Sequence, residues 1–371
     1  MTAVSWKQTA SEGVARVGVM TTPHGEVQTP NFMAVGTRGT VRTLDTDDLT
    51  RRGADLVLAN TSHLMLRPGE DVVSELGELH GFMAWDGPIL TDSGGYQVLS
   101  LAPRITEESL TFRSTYDGST VDLTPERSVA VQEALGSDIA MVLDVPVALP
   151  ASKEDAERAM HHTLRWAERS KAAKTRDDRA LFGIVQGGAD IALRSTSARE
   201  TAEIGFPGFG IGGLAVGETA SERALAIESV VPELPSDAVR YVMGLGDTEG
   251  LLDAVERGID LFDCVLPTRL ARHGKALART GDISIKRAEC DRDPGPIEVD
   301  CPCITCQKYT KAYLRHLHRT KELLGQRLLT LHNLTYTYRL MADVRKHIAE
   351  GSFGEWRQDV VAKRRLERSD G

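Results

Sequence analysis

Residues 181–187, LFGIVQG, are followed by FGIGG (209–213), RYVMGLG (240–246) and LFDCVLP (261–267), short apolar runs recurring about every thirty residues. Upstream lie NFMAVG (31–36), LVLAN (56–60), PILTDSG (88–94) and DIAMVLD (138–144), which makes eight such runs in all. Runs hydrophobic at nearly every position belong to parallel strands buried on both faces, because a half-solvated strand alternates instead. Segments with helical periodicity, such as PERSVAVQEALG (125–136), separate them and create repeated βα units. Eight such units close on themselves, so the expected fold class is α/β, a (β/α)8 TIM barrel.

Asn60, Asp92, Asp144, Gln186, Gly213, Gly244 and Asp263 stand at the carboxyl ends of these runs or one step past them. In a closed barrel those ends converge on one face, where barrel enzymes place their chemistry. Three carboxylates and two amides gathered there exceed what strand termination requires.

Ahead of the first run, residues 6–30 alternate polar and apolar positions with Gly and Pro punctuation, which predicts an antiparallel hairpin or small sheet able to cap the barrel bottom. After the last run, residues 268–345 break the βα rhythm and are expected to form a subdomain inserted into a single catalytic domain spanning 1–371. KYTKAYLRHLHRTKELLG (308–325) reads as one helical segment, and FGEWRQDVVAKRRLER (353–368) as a terminal helix.

The composition is that of a globular protein, with 41% hydrophobic and 26% charged residues. No apolar run is long enough to span a bilayer and no targeting segment opens the chain, so the sequence predicts a cytoplasmic protein without membrane contact. A net charge of −9 is the wrong sign for general nucleic-acid binding, and any RNA contact must be local. Five cysteines fit no paired disulfide framework. Cys301, Cys303 and Cys306 form C-x-C-x-x-C, and LLTLHN (328–333) offers His332 as a fourth donor in preference to His316 and His318. Three thiolates and an imidazole complete a tetrahedral Zn2+ site with no open position, hence one structural zinc per subunit. A zinc hydrolase or deaminase, which needs an open metal position, is thereby excluded.

LTDSGGYQVLS (90–100), GIVQGG (183–188), GGLAVGE (212–218), RYVMGLG, ERGIDLFDCVLPTRLAR (256–272) and CPCITC with LLTLHNL together resemble the tRNA-guanine transglycosylase (queuine tRNA-ribosyltransferase) family of bacterial type. The resemblance covers nearly the whole chain. It implies exchange of guanine at the anticodon wobble position of tRNA for 7-aminomethyl-7-deazaguanine, in queuosine biosynthesis, through a covalent aspartyl-ribose intermediate. By the same match Asp263 is the nucleophile and Asp92 the proton donor and acceptor.

Ser93, Gly94 and Gly95 follow Asp92, and the glycines let a flat base approach the backbone closely. A guanine-like base needs an acceptor for its N1 and amino hydrogens, supplied by Asp144, and donors for its O6, supplied in the family's arrangement by Gln186 and the Gly213 N–H. The resemblance further implies that Tyr96 and Met243 sandwich the base, and that the Leu214 carbonyl, backed by Glu218, meets an aminomethyl substituent. One departure concerns the base: many bacterial members carry Glu-Cys after the aspartate matched to Asp144, where this chain has Val145-Pro146. Val216 and Glu218 favour the aminomethyl base over queuine.

Arg269, Arg272, Lys275, Arg279, Lys286 and Arg287 stand against one acid, Asp282, and read as a phosphate track. The family match assigns RNA contacts to Gly244, Leu245, Gly246, Asp247, Thr248, Glu249 and Gly250, and to Thr268, Arg269, Leu270, Ala271 and Arg272. Tyr309, Tyr313, His316 and Leu317 recur at helical spacing, and Phe82, Met83 and Trp85 are expected to be exposed in the loop HGFMAW (80–85). Such grouped aromatics either seal the zinc subdomain onto the barrel or form a subunit interface, and the resemblance implies a homodimer. Two other readings stand beside this one. A non-catalytic zinc RNA-binding partner subunit would lack Asp92 or Asp263, and both are present. A transglycosylase using queuine or a 7-cyano base is the other; the 7-cyano type is expected to carry a further RNA-binding domain, which the sequence to Gly371 does not show.

Overall fold

A computed structural model describes residues 3–99, 101–214 and 217–369. The eight apolar runs form strands β1 (Asn31–Gly36), β2 (Val57–Ala59), β3 (Ile89–Thr91), β4 (Ile139–Met141), β5 (Ala180–Val185), β6 (Gly208–Ile211), β7 (Val239–Val242) and β8 (Leu261–Asp263). They pair in parallel in chain order, and β8 returns to β1 to close the barrel. Strand β1 is buried at all of its positions, as is β5, which is why their sequences do not alternate.

The seam between β3 and β4 is the thinnest, with Leu90 and Ile139 its one registered pair. Side chains complete it. The Gln132 amide donates to the Met141 carbonyl at 2.9 Å and accepts from the Met141 N–H at 2.8 Å, while the Asp138 carboxylate accepts from the Ile89 N–H at 2.8 Å. Gln132 is placed by the helix Pro125–Leu135, which Thr124 caps at the Arg127 N–H and which Gly136 ends with φ of 72°.

The N-terminal strands Ser5–Glu12, Ala15–Thr22 and Gly25–Thr29 form an antiparallel sheet beneath the barrel, as the alternation predicts. Buried Arg16 ties it to the strand starts. Its guanidinium makes a two-pronged pair with Asp260, just before β8, at 2.9 and 2.5 Å, and also donates to the carbonyls of Ser236 and Ala238. Trp6 covers the guanidinium at 4.0 Å. At the opposite edge His24 Nδ1 meets the Asp138 carboxylate at 2.7 Å, with His80 stacked on His24 at 3.6 Å.

After β8 the chain forms the helix Leu266–Arg272, a two-stranded hairpin and the short helix Ile304–Lys308, around a small core that includes the three clustered cysteines. The 28-residue helix Leu323–Glu350 starts in that core with Leu328 and Leu329 and continues into the barrel core with Leu334, Met341 and Ile348. The terminal helix spans Phe353–Ser369, and no helix among the described residues is long and apolar enough to cross a membrane.

Three expectations are corrected. Residues 308–325 are not one helix: Lys311–Arg319 ends before Lys321, whose φ of 60° breaks the rise ahead of Leu323. Trp85 is not exposed; it is 4% accessible, and its indole N–H donates to the Pro88 carbonyl at 3.1 Å. HGFMAW is mainly the helix Glu78–Met83, of which Phe82 faces solvent and Met83 packs on the core. Between β3 and β4 an unforeseen antiparallel sheet appears, built from Arg104–Ile105, Leu110–Arg113 and Thr120–Leu123.

Removal of one partner from a buried ion pair leaves an uncompensated charge in the interior. Arg16→Ala is therefore expected to cost about 3 to 5 kcal/mol in denaturant unfolding. A loss below about 1 kcal/mol, the range of a solvent-exposed pair, would contradict the bottom-sheet anchor.

Candidate active site and metal centre

The carboxyl ends of the strands bring Asp92, Asp144, Gln186 and Asp263 to one mouth. Asp92 follows β3 and is buried. Its Oδ1 accepts from the backbone N–H groups of Thr61 at 2.9 Å and Gly94 at 3.1 Å, and its Oδ2 from the Asn60 amide. Gly94 has φ of 84°, a left-handed turn that points its N–H back at the carboxylate. Burial raises the Asp92 pKa to about 6; the Thr61, Asn60 and Gly94 hydrogen bonds oppose the rise, and the Asp263 charge adds to it.

Asp263 ends β8, partly open to the mouth. Both of its hydrogen bonds fall on Oδ1, from the Tyr241 hydroxyl at 2.5 Å and the Gly244 N–H at 2.9 Å. The other oxygen, Oδ2, has no hydrogen-bond partner among the described residues, so it is the atom free to meet an electrophile. Burial raises the Asp263 pKa, with those two donors pulling against it. Tyr241 feels the charge of both Asp263 and Asp92, and burial with those charges holds its hydroxyl protonated.

Across the mouth, Asp144 Oδ2 accepts from the Gln186 amide at 2.7 Å, and burial raises the Asp144 pKa to about 6 against that bond and one from Ser93. The Gln186 carbonyl oxygen is buried without a partner. Gly213, at φ of 65°, leaves no room for a side chain, since a Cβ there would stand 2.6 Å from the Gln186 oxygen. Fully buried Arg194 holds the surrounding loops by donating to the carbonyls of Gly188 at 2.7 Å, Gly212 at 3.1 Å and Gly213 at 3.3 Å. Leu214 is buried beside this loop, and the Glu218 carboxylate pairs with Arg223 at 3.3 Å. Val216 lies outside the described residues. Tyr96 is 54% exposed at the rim, and Met243 packs partly buried at the end of β7. Val145 turns away into a separate core with Leu143 and Trp166.

Gly244, Asp247 and Arg269 are exposed, Glu249, Leu270 and Arg272 are half-buried, and Leu245, Gly246, Thr248, Gly250, Thr268 and Ala271 are buried. Thr248 shares a 3.0 Å hydrogen bond with Tyr336, and Asp247 caps its helix at the Gly250 N–H. In the basic track Lys275 pairs with Asp282 and Arg279 with Asp343, whereas Arg269 and Arg272 form no ion pair among the described residues.

Cys301, Cys303, Cys306 and His332 converge as a buried group able to hold a metal ion. The three sulfurs lie 3.7, 3.6 and 3.3 Å from His332 Nδ1. Its Nε2 faces the Leu277 carbonyl at 2.7 Å, which makes Nε2 the protonated nitrogen and turns the Nδ1 lone pair toward the thiols. His24, His80 and Asp138 also cluster. The two imidazole rings stack at 3.6 Å and 19°, with His24 Nδ1 2.7 Å and His80 Nε2 3.3 Å from the two oxygens of the Asp138 carboxylate.

Tyr241 and Arg194 escaped the sequence reading. Each acts on a partner far along the chain or through backbone carbonyls, and neither interrupts the local hydrophobic pattern. The one signal was chemical and concerned Tyr241, a phenol inside the run 240–246 expected to be wholly buried; Arg194, in the helix Ile191–Ile204 between two runs, gave none.

The raised pKa of Asp144 is also a stability statement. Its proton-bound form favours the folded state, so the contribution is complete below about pH 4 and lost as pH rises through about 6. Asp144→Asn keeps an acceptor for Gln186 and removes the charge. The unliganded variant should gain about 2 kcal/mol at pH 8 and almost nothing at pH 4, read by unfolding at both values. An equal gain at both would exclude the desolvated charge as its cause.

A family model described as queuine tRNA-ribosyltransferase matches residues 11–366. The chain is 50% identical over 349 residues to the queuine tRNA-ribosyltransferase of Desulforamulus reducens, covering 94% of each. It is 49% identical over 357 residues to the protein of that name from Thioalkalivibrio sulfidiphilus, covering 96% of each, and 48% identical over 369 residues to that from Stenotrophomonas maltophilia, covering 98% of each. With the barrel, the paired carboxylates at its mouth and the Cys3His group already in place, this near full-length agreement establishes that the chain belongs to the queuine tRNA-ribosyltransferase family.

Proposed function

We propose that the chain is a tRNA-guanine transglycosylase that replaces the wobble guanine with 7-aminomethyl-7-deazaguanine through an aspartyl-ribose intermediate. The observation that carries the mechanism is the unequal dressing of two neighbouring carboxylates, Asp263 with one bare oxygen and Asp92 held near pKa 6. Asp263 Oδ2 attacks ribose C1′ as the bond to guanine N9 breaks, and the electron pair departs with the purine, which takes a proton from Asp92. The deazaguanine then returns a proton to Asp92 as its N9 attacks C1′ and releases Asp263. No redox step or nucleotide hydrolysis is needed. A group with pKa near 6 is poised to give and regain that proton close to neutral pH.

Asp144, in its ionised form, accepts from the base's N1 and amino hydrogens. The Gln186 amide keeps a second N–H for O6, alongside the Gly213 N–H. Tyr96 and Met243 take the two faces of the base, Ser93, Gly94 and Gly95 line its approach, and the Leu214 carbonyl with Glu218 receives the aminomethyl group. Because Val145 packs into its own core, the departure at Val145-Pro146 leaves these contacts in place.

The Cys3His group fits zinc. A thiolate about 2.3 Å and an imidazole nitrogen about 2.0 Å from a tetrahedral zinc stand about 3.5 Å apart, against 3.3 to 3.7 Å here. All four positions would be filled by protein, so the ion would hold the small core together and take no part in catalysis. Residues 268–345 act as the zinc-carrying part of one catalytic domain, and Gly244–Gly250 with Thr268–Arg272 flank the bound tRNA. Stacked Tyr309, Tyr313 and His316, with exposed Phe82, supply the contacts of a homodimer. The cytoplasm, with its tRNA and its reducing poise, suits this chemistry.

Purified protein should incorporate radiolabelled guanine into unfractionated tRNA, with 7-aminomethyl-7-deazaguanine competing. Asp263→Asn should abolish incorporation and the denaturation-resistant RNA adduct while still binding tRNA; full exchange by this variant would overturn the nucleophile. Chelation of the metal should lower the Tm and expose the three thiols to a titrating reagent. Thiols that react equally with and without metal would remove the metal centre.

A further inference from the structure

The barrel mouth is electrostatically lopsided. Strands β8, β1, β2 and β3 are neighbours, and the segments following three of them carry Arg269 and Arg272, Arg38 and Arg42, and Arg67. None of these five arginines makes an ion pair or hydrogen bond to a carboxylate among the described residues. On the other half of the rim the corresponding cations are neutralised, Lys153 by Asp190 and Arg223 by Glu218.

The unpaired arginines are also organised. Arg67 lies over the ring of Tyr116 with its guanidinium carbon 4.6 Å from the centroid, and Arg38 approaches the same ring at 6.0 Å. Tyr116 stands in the turn of the antiparallel sheet inserted after β3, so this insertion reaches back over the segments that follow β1 and β2. Arg42 and Arg269 are near enough to Arg272 that, after burial, their charges lower its proton affinity. A guanidinium resting on an aromatic face is held in place while its in-plane N–H groups stay free to bind an oxyanion through two hydrogen bonds. Like charges gathered without counter-charge oppose one another until a polyanion arrives.

We infer that Arg38 and Arg67, held over Tyr116, form a second backbone grip for single-stranded RNA, which takes the phosphates flanking the target nucleotide and continues the arc begun by Arg269, Arg272 and Arg42. The inference rests on the reading of the chain as a tRNA-modifying enzyme. It assigns a role to the inserted sheet and to a part of the rim remote in sequence from the 268–272 helix. The strand enters over β8 and β1 and leaves over β2 and β3, and the neutralised half of the mouth is left for the free base.

The test uses the full-length protein and a fluorescently labelled anticodon stem-loop RNA, with anisotropy measured across a salt series. Arg38→Ala/Arg67→Ala should weaken binding at least about tenfold at low salt and flatten the log affinity against log salt slope by about 1.5, since each released phosphate contact contributes about 0.7 to 0.9. In exchange assays the KM for tRNA should rise while the KM for free guanine stays put. Tyr116→Ala should reproduce part of the affinity loss without changing the slope as much, because the charges remain but lose their support. Arg199→Ala, on an outward-facing position of the helix Ile191–Ile204, controls for net charge. Wild-type affinity and slope in the double variant, or an equal loss with Arg199→Ala, would overturn the inference. Failure of the wild type to exchange guanine would instead strike the proposed activity, and the salt slope would still report on the rim.

Discussion

A parallel barrel is stable only if each strand's backbone donors and acceptors are matched on both sides, and here the ladder is thinnest between β3 and β4. The gap is closed by side chains: Gln132 takes the part of a missing peptide against Met141, and Asp138 takes the Ile89 N–H. Thr91 and Ser137 complete a buried polar network around the same amide. Such a network is costly if any member is left unsatisfied, so it specifies one register. That register sets Asp92, directly after β3, and Asp144, three residues after β4, at the height where both open on the mouth. Closure of the fold and placement of the chemistry are thus one event at this seam.

The mouth pays for its reactivity in desolvation. Asp92, Asp144 and Asp263 are all held above the ordinary carboxylate range by burial, and among the described residues no cation is paired with them to offset it. Neutral donors do the compensating: two backbone N–H groups and an amide for Asp92, a phenol and a backbone N–H for Asp263, the Gln186 amide and the Ser93 hydroxyl for Asp144. Neutral donors orient a carboxylate without quenching its charge, which leaves it basic and nucleophilic. The barrel bottom follows the opposite rule. There Arg16 meets Asp260 with two hydrogen bonds, the Arg240 N–H adds a third at 2.7 Å, and the pair is structural.

Recognition of a polyanion by a protein of net charge −9 requires that the positive charge be concentrated and the acids spent elsewhere. The distribution follows that requirement. Outer helices and the bottom sheet consume carboxylates in ion pairs such as Arg176 with Glu78 and Arg169 with Glu126, whereas the arginines on one arc of the rim form no ion pair among the described residues. The long helix Leu323–Glu350 joins the metal group to the base of the barrel, since it carries His332 near the cysteines and, further on, Arg345 donates to the Pro30 carbonyl at 2.7 Å just ahead of β1.

The eight strands, the bottom sheet and the Cys3His ligand set were legible from the chain alone, because each rests on a local pattern: unbroken burial, period-two alternation, or metal-ligand spacing. The inserted sheet at 104–123 was not, since its strands are two to four residues long; Leu110–Arg113 does alternate, with Leu110 and Phe112 buried, but four residues are too few for that to stand out. Trp85 was misread for the related reason that its burial comes from the fold around it and not from any pattern in HGFMAW. Lys321 breaks a helix without a glycine or proline to announce it. The identities of the carboxylates were determined by the sequence; which oxygen of Asp263 stays bare, that Tyr241 and Arg194 serve the mouth, and which arginines remain unpaired were decided only by tertiary structure. Those properties are relations between residues distant along the chain, and hydrogen-bond partners and burial exist only once the barrel has closed.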